Sequence, residues 1–249
     1  MELYKLRKVH YSDADRISIS IIIPTYNEEG HIGRTVQYLL ANNTHHAILE
    51  IIVADGGSSD ATIAEAEEAG ATVVYCPKKG RAAQMNSGAA VARGAILYFL
   101  HADTLPPSHF ISDIYGALKK GNKSGCFMLA FDVNHWFLKA NCWFTRFDVN
   151  AVRFGDQSLF IEAATFRAAG GFDEQMIVLE DQDIIKRLKG KGRFCVVKKA
   201  VTTSARKYMD NGIYKTQAIF FLIYFMYRTG YSQQQLVNTY RKLIQQNKV

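Results

Sequence analysis

The chain has 249 residues, of which 48% are hydrophobic and 21% charged, and 30 Lys and Arg against 23 Asp and Glu give a net charge of +7. That mix excludes a disordered, collagenous or coiled-coil chain, and a chain of this length buries about 70–75% of its unfolded surface without needing a disulfide or metal staple. Its four cysteines, Cys76, Cys126, Cys142 and Cys195, form no C-x-x-C pair, which disfavours structural zinc and fits a reducing compartment.

Residues 1–16 are charged throughout and contain no apolar stretch of the secretory kind, so the expected location is cytoplasmic. The run ISISIII (17–23) is short, continuous and β-branched, as a strand buried on both faces should be. PTYNEEG interrupts it, with Asn27 placed to cap a helix reaching Ala41. LEIIVA (49–54) reads as a second strand closed by DGGSSD, where Ser59 or Asp60 can cap a helix through Ala69. TVVYC (72–76) is a third strand, followed by a helix across 82–92. AILYFL (95–100) is a fourth, stopped by HAD and then Pro106–Pro107. Strands and helices alternating at this spacing predict right-handed crossovers and a parallel sheet.

Beyond residue 120 the pattern loosens. Strands are predicted over 125–133 and 193–198, a helix over 180–190, and a helical hairpin over 212–246 punctuated at Gly230. With no linker between the halves, the reading is one domain over 1–249: a nucleotide-binding half (17–105), a catalytic half (106–207) and C-terminal helices (208–249). Ten basic residues and one acid between Lys186 and Lys215 give that segment +9 and leave the rest at −2, which favours an anionic partner or a solvated face. The apolar run 218–227 spans about 15 Å as a helix, half the hydrocarbon core, so it is too short to cross a bilayer. Its options are burial, contact with a second copy, or a membrane surface flanked by Lys207, Lys215 and Arg228.

Ligands of an open parallel sheet bind outside the carboxyl ends of its strands. PTYNEE, Asp55 and HAD (101–103) stand at three such ends, although each alone is ordinary turn chemistry. No G-x-G-x-x-G, G-x-x-x-x-G-K-[ST] or G-x-S-x-G is present, which disfavours a dinucleotide dehydrogenase, a P-loop NTPase and an α/β-hydrolase.

IIIPTYNEEGHI, IIVADGGSSDAT, KGRAAQMNSGAAVARGAILYFLHADT, GGFDE (170–174) and LEDQD (179–183) together resemble an inverting family 2 glycosyltransferase of GT-A fold over about residues 17–207. FGDQSLF (154–160), with HAD in place of D-x-D, resembles a short single-domain subgroup linked to arsenosugar biosynthesis or to radical-SAM and selenium gene neighbourhoods. The resemblance implies an α/β fold with a mostly parallel central sheet. It also implies transfer of one sugar, with inversion, from a UDP-type donor to an acceptor hydroxyl.

By that resemblance Asp55 accepts from the base, and Pro24, Tyr26 and Glu28 line base and ribose. Arg81, in a Gly-rich turn at a helix start, suits a phosphate, with a solvated loop residue as the alternative. Asp103 matches the last Asp of D-x-D and would ligate Mn²⁺ or Mg²⁺; His101 stands at the first position, as a second ligand or a packed strand-end histidine. The Glu180–Asp181 pair matches the family's ED, whose Asp is the general base, while composition alone reads it as an acidic helix start. Asp156, Gln157, Gly170, Gly171 and Phe172 are assigned to acceptor or donor sugar, and Arg206 and Lys207 of SARK to the diphosphate. The implied partners are a nucleotide sugar and a small-molecule or lipid acceptor, with no nucleic acid. The rival readings are a non-catalytic nucleotide-sugar-binding module and a sugar nucleotidyltransferase, whose Gly-rich turn after the first strand is missing.

Overall fold

The computed structural model describes residues 17–150, 153 and 155–245. The charged segment 1–16, Phe154 of FGDQSLF and the hairpin's end at 246 lie outside the described residues. The first half alternates as expected: β1 (Ile19–Thr25), α1 (Ile32–Ala41), β2 (Ile48–Asp55), α2 (Thr62–Glu68), β3 (Thr72–Tyr75), α3 (Arg81–Val91) and β4 (Ile96–Phe99). The second half adds β5 (Thr104–Leu105), α4 (Phe110–Lys119), β6 (Asn122–Phe131), α5 (Trp136–Phe144), β7 (Leu159–Glu162), α6 (Ala163–Ala168) and α7 (Glu180–Lys189). It ends with β8 (Arg193–Thr203), α8 (Arg206–Asn211), α9 (Ile213–Arg228) and α10 (Gln233–Leu243).

Among the described residues, the eight strands join one sheet in the order β3-β2-β1-β4-β7-β6-β8-β5. Four of its seven pairings are parallel, and the antiparallel ones are β4–β7, β6–β7 and β5–β8. Side chains alternate across it. Ile19, Ile21 and Ile23 of β1 pack with Val53, Tyr98, Phe110 and Phe127 on one face, while Ile22 joins Ile52, Met85, Phe99, Phe166 and Ile184 on the other. Both faces are covered, which is why these strands read as continuous apolar runs.

Asn27 does not cap α1, which starts five residues later after His31; Asn27 takes φ +51 and is used in a loop contact instead. Asp60 accepts from the Thr62 N–H at the start of α2, as expected of a cap, although Ala61 is the flanking residue. The C-terminal run is not buried all round. Ile219 and Ile223 of α9 pack with Leu236, Val237 and Tyr240 of α10, but Phe221 and Phe225 face solvent. Among the described residues no helix is long and apolar enough to cross a membrane.

Candidate active site

A cleft of about 360 Å³ opens at the carboxyl ends of β1, β2 and β4. Pro24, Thr25, Tyr26 and Glu28 line it from the first loop, Gly56 from the second, Gly80, Arg81 and Gln84 from the start of α3, and His101, Ala102 and Asp103 from the end of β4. The far wall comes from much later in the chain: Asp156, Ser204, Arg206, Lys207 and Tyr208, with Phe220, Tyr240 and Arg241 of the C-terminal helices.

The first two loops are zipped together. Ser59 N–H donates to Asn27 Oδ1, Asn27 N–H to Ser58 Oγ, Glu28 N–H to Thr62 Oγ1, and Gly30 N–H to the Glu65 carboxylate. Asp55 takes part in this clamp rather than facing the cleft. It is 1% exposed, and its carboxylate accepts from Gly57 N–H at 2.8 Å and Ser58 N–H at 3.0 Å, leaving neighbouring Gly56 on the lining.

Gln84, which sequence reading passed over, is the anchor beneath. Its Nε2 donates to Thr25 O at 2.7 Å and Ala54 O at 3.0 Å, tying the ends of β1 and β2. A Cβ at Gly56 would lie 2.7 Å from that nitrogen, so only glycine admits the contact. Gln84→Leu removes both bonds, although Thr25 O keeps the Gly56 N–H at 2.9 Å, and is expected to cost about 1–3 kcal/mol, read as a lower denaturation midpoint at unchanged slope.

The pairing of distant strands assembles the reactive end. β7 runs antiparallel to β4 with Leu159 opposite Phe99, so the turn before β7 returns beside HAD. Asp156 in that turn sits with Oδ1 2.7 Å from His101 Nδ1. Burial alone would neutralise both groups, but their mutual hydrogen bond and charge dominate. Asp156 is held well below the usual carboxylate range, helped by Lys207 and Arg81, and His101 is raised above the usual imidazole value. In the same way β8 pairs with β5, Thr203 opposite Thr104, and brings SARK to Asp103. Arg206 bridges Glu28 at 3.1 Å and Asp103 at 3.5 Å. Burial, then the Asp156 carboxylate, push the Asp103 carboxyl upward, with Glu28 adding to this and His101 and Arg206 opposing.

α7 begins behind this cluster, after Leu179 at φ +65, a left-handed conformation of the kind that collects at functional sites. Glu180 is 1% exposed and pairs with Arg81 at 3.4 Å. Arg81 is thereby a cleft residue held by a buried carboxylate, not a solvated loop residue. Asp181 is half-buried, and its carboxyl is pushed up to about 7 by burial and then by the adjacent Glu180, against the cations His101 and Arg81.

Four residues assigned from the sequence are placed elsewhere. Gln157 is 1% exposed and donates to Phe127 O at 2.9 Å, inside the protein. Phe172 is 2% exposed among Phe99 and Phe166, and its N–H and C=O are both bonded by Asn86. Gly170 and Gly171 take φ +80 and +69 in the turn that delivers Phe172 to the core. None of the four lines the cleft, and neither do Glu180 and Asp181, whose charges nevertheless act on His101, Arg81 and Asp156 of its wall. The GGF spacing that suggested a sugar contact is a tight turn plus a core aromatic.

Among the described residues no three His, Cys, Asp or Glu side chains are grouped to hold a metal ion by themselves. Asp103 still fits one: its charged form is disfavoured by burial and by the Asp156 and Glu28 carboxylates, so a cation there would relieve repulsion. His101 has Nδ1 bonded to Asp156, so it could reach a cation through Nε2 alone, and as a neutral ligand it would bring no charge.

The far wall carries an unusual group. Phe220 and Tyr240 lie parallel, centroids 6.4 Å apart and 5° between planes, and Lys207 Nζ is 5.9 and 5.7 Å from their centroids.

Residues 20–169 match the family described as Glycosyl transferase family 2. The chain is 28% identical over 105 residues to validoxylamine A glucosyltransferase of Streptomyces hygroscopicus subsp. limoneus, covering 40% of this chain and 23% of that protein. In fold it is similar to S. aureus TarS 1–349 in complex with UDP (TM-score 0.63, 17% identity, 76% of this chain and 60% of that one). It is also similar to the mannosyltransferase PcManGT from Pyrobaculum calidifontis in complex with GDP-Man and Mn²⁺ (TM-score 0.67, 16% identity, 82% and 60%). The chain thus spans about a quarter of that curated relative and three-fifths of each solved chain.

Proposed function

Because this chain belongs to glycosyl transferase family 2, we propose that the cleft transfers one sugar from a nucleotide-diphosphate donor, UDP-linked, to an acceptor hydroxyl, with inversion at the anomeric carbon. The observation carrying this reading is the convergence of Asp103, Arg206, the His101–Asp156 pair and Arg81 at one end of the sheet, with Asp181 beside them. The nucleoside end lies along Pro24, Tyr26 and Gly56, with Asp55 stiffening the loop behind it. Arg206, Lys207 and Arg81 face the diphosphate, whose departure leaves negative charge for them to stabilise. A Mn²⁺ or Mg²⁺ bound at Asp103 would supply further charge stabilisation for the leaving diphosphate. Asp181 takes the proton from the acceptor hydroxyl, and a carboxyl near 7 is suited to accept it at neutral pH. The Phe220–Tyr240 pair beneath Lys207 offers the acceptor side a flat apolar surface with a cation over it. The FGDQSLF and HAD blocks support placement in the short single-domain subgroup.

A thermal-shift series with UDP, GDP and dTDP, each with Mn²⁺, tests the donor assignment. UDP at a hundred times its Kd is expected to stabilise by about 2.7 kcal/mol, a rise of about 5–10 °C for a chain this size. A shift with GDP or dTDP alone overturns the base assignment. Binding of UDP-sugars without sugar release in the presence of candidate acceptors favours the non-catalytic module.

A further inference from the structure

Two helices show solvent an apolar face that the fold does not use. Trp136 and Trp143, the chain's two tryptophans, stand seven residues apart on one side of α5 and are 68% and 47% exposed. Phe144 and Phe147 extend the stripe at 50% and 43%, although the opposite side of α5, Leu138 and Cys142, is already buried. α9 repeats the pattern: Ile219 and Ile223 pack inward, while Phe221, Leu222 and Phe225 are 55%, 41% and 64% exposed. The helices touch through Phe137 and Tyr214, ring centroids 4.8 Å apart. Monomeric proteins seldom leave so much aromatic surface open without a partner for it.

Charge says which partner. Neither helix contains Asp or Glu. Lys139 is exposed on α5, Lys215 and Arg228 are exposed near the ends of α9, and Arg146 lies over the Trp143 ring at 4.6 Å. We infer that this face docks on an anionic lipid bilayer surface. Trp, Tyr and Phe settle at headgroup depth, and Lys and Arg beside them meet the phosphates, so aromatic and cationic parts act together. A second copy of this chain packed face to face would instead set lysines and arginines against each other, with no carboxylate on either helix to receive them. The face adjoins the cleft, because Phe220 of the same α9 lines it.

The test uses the whole chain with vesicles of phosphatidylcholine mixed with phosphatidylglycerol, and of phosphatidylcholine alone. Both tryptophans sit in the proposed contact, so intrinsic emission reports it. Co-sedimentation and a blue shift are expected with the anionic vesicles and not with the neutral ones, and both weaken in high salt. Lys139→Glu/Lys215→Glu is expected to lower vesicle affinity at least about tenfold, and Trp136→Ser/Trp143→Ser to lower it with an unchanged melting temperature. No co-sedimentation and an unshifted emission overturn the proposal. So does a dimer by sedimentation equilibrium whose emission is already blue-shifted without lipid, which would assign the face to a second copy. Neither readout needs turnover, so failure here leaves the glycosyl-transfer reading of the cleft standing.

Discussion

Asp181→Asn is expected to lower the rate of sugar transfer by about 10²–10⁴-fold while UDP binding stays nearly unchanged. The substitution keeps the side chain's shape while removing its charge and its capacity to take a proton. Because the Asp181 carboxyl lies near 7, the wild-type kcat/KM should also rise with unit slope as pH increases and level off above about 7. The sign follows from the role: a base works in its deprotonated form, which is lost below its own pKa. The Asn variant's residual activity should show no such rise. Steady-state kinetics across pH, with calorimetric titration of UDP on both proteins, check this together. A folded Asp181→Asn protein that keeps most of its activity would move the role to Glu180, which Arg81 now holds as an ion-pair partner.

Asp103→Ala is expected to remove the gain in UDP affinity that Mn²⁺ confers, an effect of at least about tenfold by analogy with the loss of metal-site residues. His101→Ala should cost less, since a neutral imidazole brings a cation no charge to offset its own, whereas Asp103 brings a carboxylate. The ligand-free Asp103→Ala protein should not melt earlier. Burial and the Asp156 carboxylate raise its native carboxyl, so its charge does not support the fold, and Arg206 keeps Glu28 as a partner after the change. Calorimetry with Mn²⁺ and with EDTA separates the variants. Equal losses at the two positions would place His101 on the cation as well.

These two residues were legible for different reasons. Asp103 stands at the end of a strand whose apolar run announces it, so local pattern located it together with its place at the sheet's ligand-binding edge. Asp181 lies in an acidic helix start that composition alone would assign to the macrodipole. Only the order of motifs suggested a base, and only burial beside Glu180 raises its carboxyl to about 7.

What the sequence by itself determined is the part governed by short-range physics. β1, β2 and β4 are continuous apolar runs because both faces of the sheet are covered there, and the crossovers between the first four strands follow from spacing and handedness, so the ends that carry Tyr26, Gly56 and His101 could be placed in advance. What only the tertiary structure decided depends on pairings across long stretches of chain. The antiparallel insertion of β7 sets Asp156 against His101, fifty-five positions earlier, and turns its neighbour Gln157 into the interior. The return of β8 to β5 delivers Arg206 to Asp103. Whether an aromatic such as Phe172 or Trp136 is core or surface is likewise a matter of which face another element happens to cover. Residue type reports the tendency to be buried, while burial itself belongs to the packed whole.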